Sequence, residues 1–331
     1  MPRTPLLPQK FADWALLLTC NFIWASQFVL VKLVSEQVGA VFTTAAPMLV
    51  ATLLLLPLAL PGLLRKWVNG PSAQRPSGAD MGRFLALGIL GQVVAQLFVT
   101  WGVRISLASN AALLMLTLPV VTAVMAFLVL RERMTSTRWI GFALAIIGTI
   151  ACSAPDLAGL NLAGSYLLGN GLIFLAVIGS AFYNVFSKKL LRRYGALEVL
   201  FLSYVAACLV LLPMALILEP EILQRLGGLS LRTWIGLGGL AVFQYGVSMI
   251  IFLTVLTRLD ATQAALSNYL IPVFGLGLAW AVLGEKLTIW GVAGGVLVLA
   301  STWMVTVLED RQRRQAGVNA AAGLDRQEND S

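Results

Sequence analysis

The chain has 331 residues, 59% hydrophobic and 11% charged, with a formal net charge of +8 and a mean hydropathy of +0.86. Soluble domains carry roughly 25% charged and about 45–50% apolar residues, so a water-soluble globule is excluded and lipid must solvate most of the surface. The basic residues stand in short clusters between apolar runs, which marks membrane orientation and argues against a nucleic-acid partner.

The first residues, MPRTPLLPQKFAD, are mixed and proline-rich and lack the short apolar core and cleavage site of a signal peptide. The first apolar run is therefore read as a retained span. A bilayer core about 30 Å thick takes about 20 apolar residues per helix. On that measure ten spans are predicted, at 13–33, 43–64, 83–103, 108–130, 138–154, 165–187, 197–218, 233–256, 261–283 and 288–308. They leave an N-terminal tail at 1–12, a longer connection at 65–82 and a polar tail at 309–331. With both tails cytoplasmic, 18 of the 23 Lys and Arg residues lie inside and 5 outside, which selects that orientation. A multi-pass protein of a bacterial-type inner (plasma) membrane is expected. Cys20, Cys152 and Cys208 lie within or at the edges of apolar runs and are read as packing residues.

The two halves repeat. Pro119 and Pro272, Glu132 and Glu285, Thr135 and Thr288, and Gly141 and Gly294 are each separated by 153 positions. The stretches ASNAAL (108–113) and ATQAAL (261–266) share that shift. LLPLAL (55–60) and LLPMAL (211–216) are offset by 156, as are Lys32 and Lys188. Five spans per half is an odd number, so the second half enters the membrane upside down. The expected fold is an all-α integral membrane protein of ten transmembrane helices, built as two five-helix inverted-topology repeats at 13–154 and 165–308. Such repeats serve alternating access around a midplane site.

Within the spans, Pro119 and Pro272 each remove a donor and free the carbonyl four residues earlier, that of Met115 or Asn268. Both are read as bends that gate a cavity. Glu132 and Glu285 are read as turn residues, with Thr135 and Thr288 capping the helices that follow. Neutral polar and aromatic residues supply candidates for a cavity lining: Asn21, Trp24 and Gln27 in the first span; Gln92, Gln96 and Trp101 in the third; Tyr183 and Asn184 in the sixth. Gln244 and Tyr245 in the eighth span and Asn268 and Tyr269 in the ninth complete the set. Such groups in hydrocarbon serve either helix-to-helix bonding or a cavity. Gln92 and Gln96 are four apart, so both are expected on one wall. Small residues in the fifth and tenth spans, Gly291 and Gly295 among them, suit scaffold or dimer packing. The chain is expected as a monomer or homodimer.

No His, G-x-S-x-G, Walker loop or paired intramembrane acid occurs, so neither an enzyme, a metal site nor a cofactor is implied. LGEKLT (283–288), WGVAGGVLVLAS (290–301), the variant LRERMT (130–135) and FIWASQFVLVKLV (22–34) make the chain resemble the EamA-type members of the drug/metabolite transporter superfamily. The resemblance covers nearly all of 13–308. It implies a carrier of amino acids, other small metabolites or drugs, often an exporter, with a cavity between two five-helix halves. Small multidrug-resistance transporters of that superfamily use a first-span glutamate for proton exchange, and no such carboxylate stands in LLTCNFIWASQFVLV (17–31). The expected activity is therefore secondary transport of a neutral or zwitterionic metabolite, with lipid as the other partner. A non-transporting membrane subunit or partner-binding scaffold is the alternative.

Overall fold

The computed structural model describes residues 7–67, 77–130, 136–151, 165–191, 193–256, 270–286 and 288–304. Backbone groups in hydrocarbon must be bonded within the segment, and among the described residues the regular structure is all helical. The rods are α1 (Leu7–Val34), α2 (Ala40–Trp67), α3 (78–105), α4 (108–130), α5 (Ser136–Ala151), α6 (Ser165–Leu191), α7 (Ala196–Leu218), α8 (231–256), α9 (Leu270–Leu283) and α10 (Ile289–Trp303). Among the described residues, seven helices are long and apolar enough to cross a membrane: α1 to α4 and α6 to α8. Shorter apolar helices lie in α5, α9 and α10. The predicted spans 138–154, 261–283 and 288–308 run partly outside the described residues.

Lipid-type solvation is visible in the surface. Leu53, Leu54 and Leu58 of α2, Ile217 of α7 and Trp280 of α9 are all more than half exposed. The main core lies inward of them, joining Phe28 and Val31 of α1, Met48 and Leu55 of α2, Leu97 of α3, and Leu200 and Tyr204 of α7.

Two helix pairs run antiparallel. At one end of α2, Lys66 meets Glu198 of α7 at 2.5 Å; at the other, Glu219, which closes α7, accepts from the amides of Val41 (2.9 Å) and Phe42 (3.2 Å) of α2. In the second pair, the Ser301 hydroxyl of α10 donates to the Gly141 carbonyl of α5 at 2.6 Å. A Cβ on Gly148 would stand 2.8 Å from the Gly294 carbonyl, so glycine permits this contact. The small-residue face of α10 is thus used inside the chain, against α5. Gly295 lies against Leu113 of α4 instead.

Two turns dock across the halves in matched fashion. Ser77 caps α3 and Ser230 caps α8, and these residues are 153 apart, the shift seen in the sequence. Onto the α3 cap comes the turn before α7: Asp80 binds Arg193 at 2.6 Å and accepts from the Tyr194 hydroxyl at 3.1 Å. Onto the α8 cap comes the turn before α2, where Gln37 Oε1 accepts from Ser230 N (2.9 Å) and Thr233 Oγ1 (2.6 Å). One contact is ionic and the other neutral.

Burial, and then the Asp80 carboxylate it bonds, push the Tyr194 hydroxyl up to about 12. A raised pKa favours the neutral phenol in the folded state. Its stabilisation is complete below the ordinary tyrosine value of about 10 and is lost as pH rises through the folded value. Comparing thermal midpoints of wild type and Tyr194→Phe in detergent checks this. The wild-type advantage at pH 9 should shrink by pH 11.5, and an advantage that does not change would contradict it.

Candidate solute site

The face of α1 carrying Cys20, Trp24 and Gln27, at helical spacings of four and three, lies along α8. Gln244 Nε2 donates to Gln27 Oε1 at 2.8 Å, and Trp24 Nε1 donates to Ser248 Oγ at 3.0 Å. The Cys20 thiol reaches the Ser248 carbonyl at 3.4 Å. On its other side, Gln27 Nε2 donates to Gln96 Oε1 of α3 at 3.2 Å. Three amides from α1, α3 and α8 thus form one chain inside the molecule, drawing on both halves of the sequence.

Both α3 and α8 contain a π-helical segment here, Leu87–Val93 and Leu240–Val247. Such insertions leave backbone acceptors without their usual donor and recur at functional sites. In α8 the Ser248 N–H bonds the Phe243 carbonyl, five residues back. The Gln244 carbonyl it would otherwise meet is taken by the Ser248 hydroxyl at 2.6 Å. The Tyr245 carbonyl accepts from the Tyr204 hydroxyl at 3.4 Å. Every such group at membrane depth needs a partner of this kind. Tyr245 also meets Tyr204 edge-on, with ring centroids 6.0 Å apart.

The structure therefore joins Gln27, Gln96 and Gln244 directly, ties Trp24 to α8 through Ser248, and places Tyr245 beside Gln244. Asn21 is buried one turn earlier on α1. Gln92 and Gln96 diverge rather than share one wall. Gln92 sits in the π segment and bonds the Tyr183 side chain of α6, whereas Gln96 faces α1. Gln92 lies inside the π segment and Gln96 in the α-helix that follows it. Tyr183 also meets Ser203 of α7 at 3.4 Å. Trp101 and Asn184 are exposed, and among the described residues neither bonds to the amide chain. Asn268 and Tyr269 lie outside the described residues.

The break at Pro119 takes a different form from a freed, cavity-facing acceptor. Helix α4 tightens into a 3₁₀ turn at Met115–Thr117, so the Leu118 N–H bonds the Met115 carbonyl. The Thr117 hydroxyl takes the Leu114 carbonyl at 2.7 Å. The interruption is real, but its acceptors are used locally. Pro272 is buried in the first turn of the described part of α9.

Glu285 also departs from the reading of a local turn residue. Gly284 ends α9 with φ 67°, a left-handed geometry suited to glycine. Glu285 then reaches the N-terminus of α4, accepting from Ala108 N (3.0 Å), Ser109 N (3.0 Å) and Ser109 Oγ (2.8 Å). A carboxylate at a helix N-terminus is favourably placed in the helix field. Thr288 does cap α10, accepting from Gly291 N at 3.0 Å. Glu132 and Thr135 lie outside the described residues. Beside Glu285, Arg104 Nη1 donates to the Val38 carbonyl at 2.9 Å, and Lys32 Nζ to the Arg104 carbonyl at 3.3 Å. Sequence reasoning missed a further buried polar group here: Ser106 donates to Asn170 Oδ1 at 2.6 Å, with Asn110 at 3.4 Å. The first residues of the ASNAAL repeat were its visible signal.

The EamA-like transporter family model matches residues 13–154 and again 167–307. The chain belongs to that family. It is 26% identical over 306 residues to a probable terminal-alkyne amino-acid exporter of Streptantibioticus cattleyicolor, covering 92% of this chain and 96% of that protein. An uncharacterised transporter of Archaeoglobus fulgidus is 24% identical over 293 residues, 88% of this chain and 98% of that one. A probable amino-acid metabolite efflux pump of Salmonella typhimurium is 32% identical over 196 residues, 58% of this chain and 64% of that protein. A protein of known crystal structure shares the fold of this EamA-like chain, with a TM-score of 0.58 at 16% identity over 91% of this chain and 98% of that one. The chain is thus a multi-pass membrane transporter by family.

Proposed function

We propose that this EamA-like protein is a secondary carrier exporting small neutral or zwitterionic metabolites, amino acids among them. It works by alternating access between two inverted five-helix repeats. The observation that carries the reading is the Gln96–Gln27–Gln244 chain, which places neutral hydrogen-bonding groups from both halves at one interior point. The antiparallel packing of α2 on α7 and α5 on α10, which hold corresponding places in the two halves, supports the inversion. Described acidic side chains stand near helix ends, at Glu36, Asp80, Glu198, Glu219, Glu221 and Glu285, which suits a solute without net charge. The names of the Streptantibioticus and Salmonella relatives support amino-acid export. In this reading ten helices span, both termini are cytoplasmic, and the two repeats occupy 13–154 and 165–308. Pro119 and Pro272 mark the helices that bend as the halves rock.

Counterflow of radiolabelled amino acids in proteoliposomes tests the activity. Exchange above empty liposomes is expected for at least one, and none across all twenty, with folded protein, would refute this cargo. Single cysteines at Gly228 and Gln74 in a cysteine-free background should label from opposite sides of the membrane. Labelling of both from one side would refute the topology.

A further inference from the structure

The amide chain has a direction, and it ends on an unused acceptor. Gln244 is only 8% exposed, and its Nε2 is engaged with Gln27. Its Oε1 is buried and, among the described residues, has no hydrogen-bond partner. Gln27 in turn spends its oxygen on Gln244 and its nitrogen on Gln96, so it has no donor pointing back. The backbone carbonyl of Gln244 is already taken by Ser248. What remains at this point of α8 is one side-chain carbonyl oxygen lacking a donor, a state that costs free energy in a dry interior. The π segment of α3 offers a contrast, because its Gln92 bonds Tyr183.

We propose that the Gln244 side-chain oxygen accepts an N–H from the transported solute and so selects amines over their deaminated counterparts. The inference rests on the carrier reading above. An amide oxygen is a neutral acceptor, and no described carboxylate shares its depth, so a solute with uncompensated positive charge would enter unpaired. A zwitterion brings its own counter-charge. A quaternary ammonium group has no N–H to give. The class that fits is therefore a zwitterionic or neutral compound with a primary or secondary nitrogen. Trp24, fixed through Ser248 on the same face of α8, supplies an aromatic ring next to that nitrogen.

The test uses full-length protein in proteoliposomes. For the amino acid exchanged fastest, its deaminated acid, with hydrogen in place of the amino group and so no donor there, and its N,N,N-trimethyl betaine are run as competitors. Wild type should favour the amino acid by at least about tenfold over both, since a site built around one hydrogen bond rejects ligands that lack it. Gln244→Met keeps the length of the side chain and removes the acceptor, and the preference should fall to within about threefold. Gln244→Glu retains an acceptor and should keep the preference, which decides the matter if the methionine variant does not fold. An unchanged preference in Gln244→Met, its loss in Gln244→Glu, or equal competition by either analogue in wild type would overturn the proposal. Thermal stabilisation of the purified protein by the twenty amino acids separates the two readings. Stabilisation by an amine but not by its analogues, without exchange, would leave recognition standing and remove the carrier. No stabilisation and no exchange by any of them would overturn both.

Discussion

Replacing Asp80 with alanine is expected to destabilise the folded protein by about 2–3 kcal/mol. The Asp80 side chain is 1% exposed and meets Arg193 at 2.6 Å, Arg83 at 2.9 Å, Tyr194 at 3.1 Å and its own capping partner Ser77 N at 3.2 Å. Alanine would leave the buried Tyr194 hydroxyl without its acceptor and take away half of the capping box. Removing one member of a buried ion pair costs roughly 3–5 kcal/mol. Both guanidinium groups are more than a third exposed, and screening by water places this case at or below the low end of that range. Asp80→Asn keeps an acceptor for the cap and should lose less. Thermal midpoints in detergent measure both, and an Asp80→Ala protein as stable as wild type would show that the docking of this turn contributes nothing.

Glu285→Ala should have its largest effect on access. The substitution removes all three bonds between the α9–α10 turn and the start of α4 and leaves two backbone donors without an acceptor. Charge-assisted bonds of this kind contribute about 1.5–3 kcal/mol each, and partial exposure reduces the sum to about 2 kcal/mol for the group. Two kilocalories correspond to roughly a thirtyfold shift in an opening equilibrium. Asn110, 4% exposed and next to Ser109 on α4, reports that opening. A single cysteine there, in a cysteine-free background, should react with a membrane-impermeant thiol reagent at least about tenfold faster when Glu285 is alanine. Equal rates would show that the contact does not hold this end closed. Glu285→Gln, which keeps one acceptor oxygen but turns an NH2 toward the remaining donors, should fall between alanine and wild type.

The helices were legible because lipid leaves so few options: an apolar run without internal hydrogen bonding has nowhere to go. The repeat was legible for a related reason, since Pro119/Pro272 and Glu132/Glu285 are rare residues in an otherwise uniform background. The partners of Glu285 were not. Ala108 lies 177 positions away, and nothing local distinguishes a carboxylate that ends one helix from one that caps another. The π segments were also hidden, because LGILGQV and LAVFQYGV read as ordinary helix, and so were the separate partners of Gln92 and Gln96. Of the amide chain, Gln27, Gln96 and Gln244 stood among the candidates in the sequence, while their bonding order depends on how three rods are rotated against one another. One signal was overlooked. Ser77 and Asp80 form the S-x-x-D spacing of a helix start, inside a stretch read as connection, and α3 accordingly begins five residues before its predicted span.

The paired docking turns have unequal electrical character, and this bears on how the molecule would answer its surroundings. Dissolved salt weakens Asp80–Arg193 and hardly touches Gln37–Thr233, because only the first depends on opposite charges near water. In the proposed orientation the ionic one faces the cytoplasm. Ionic strength inside the cell would then tune one face of the protein while the outer face keeps its setting.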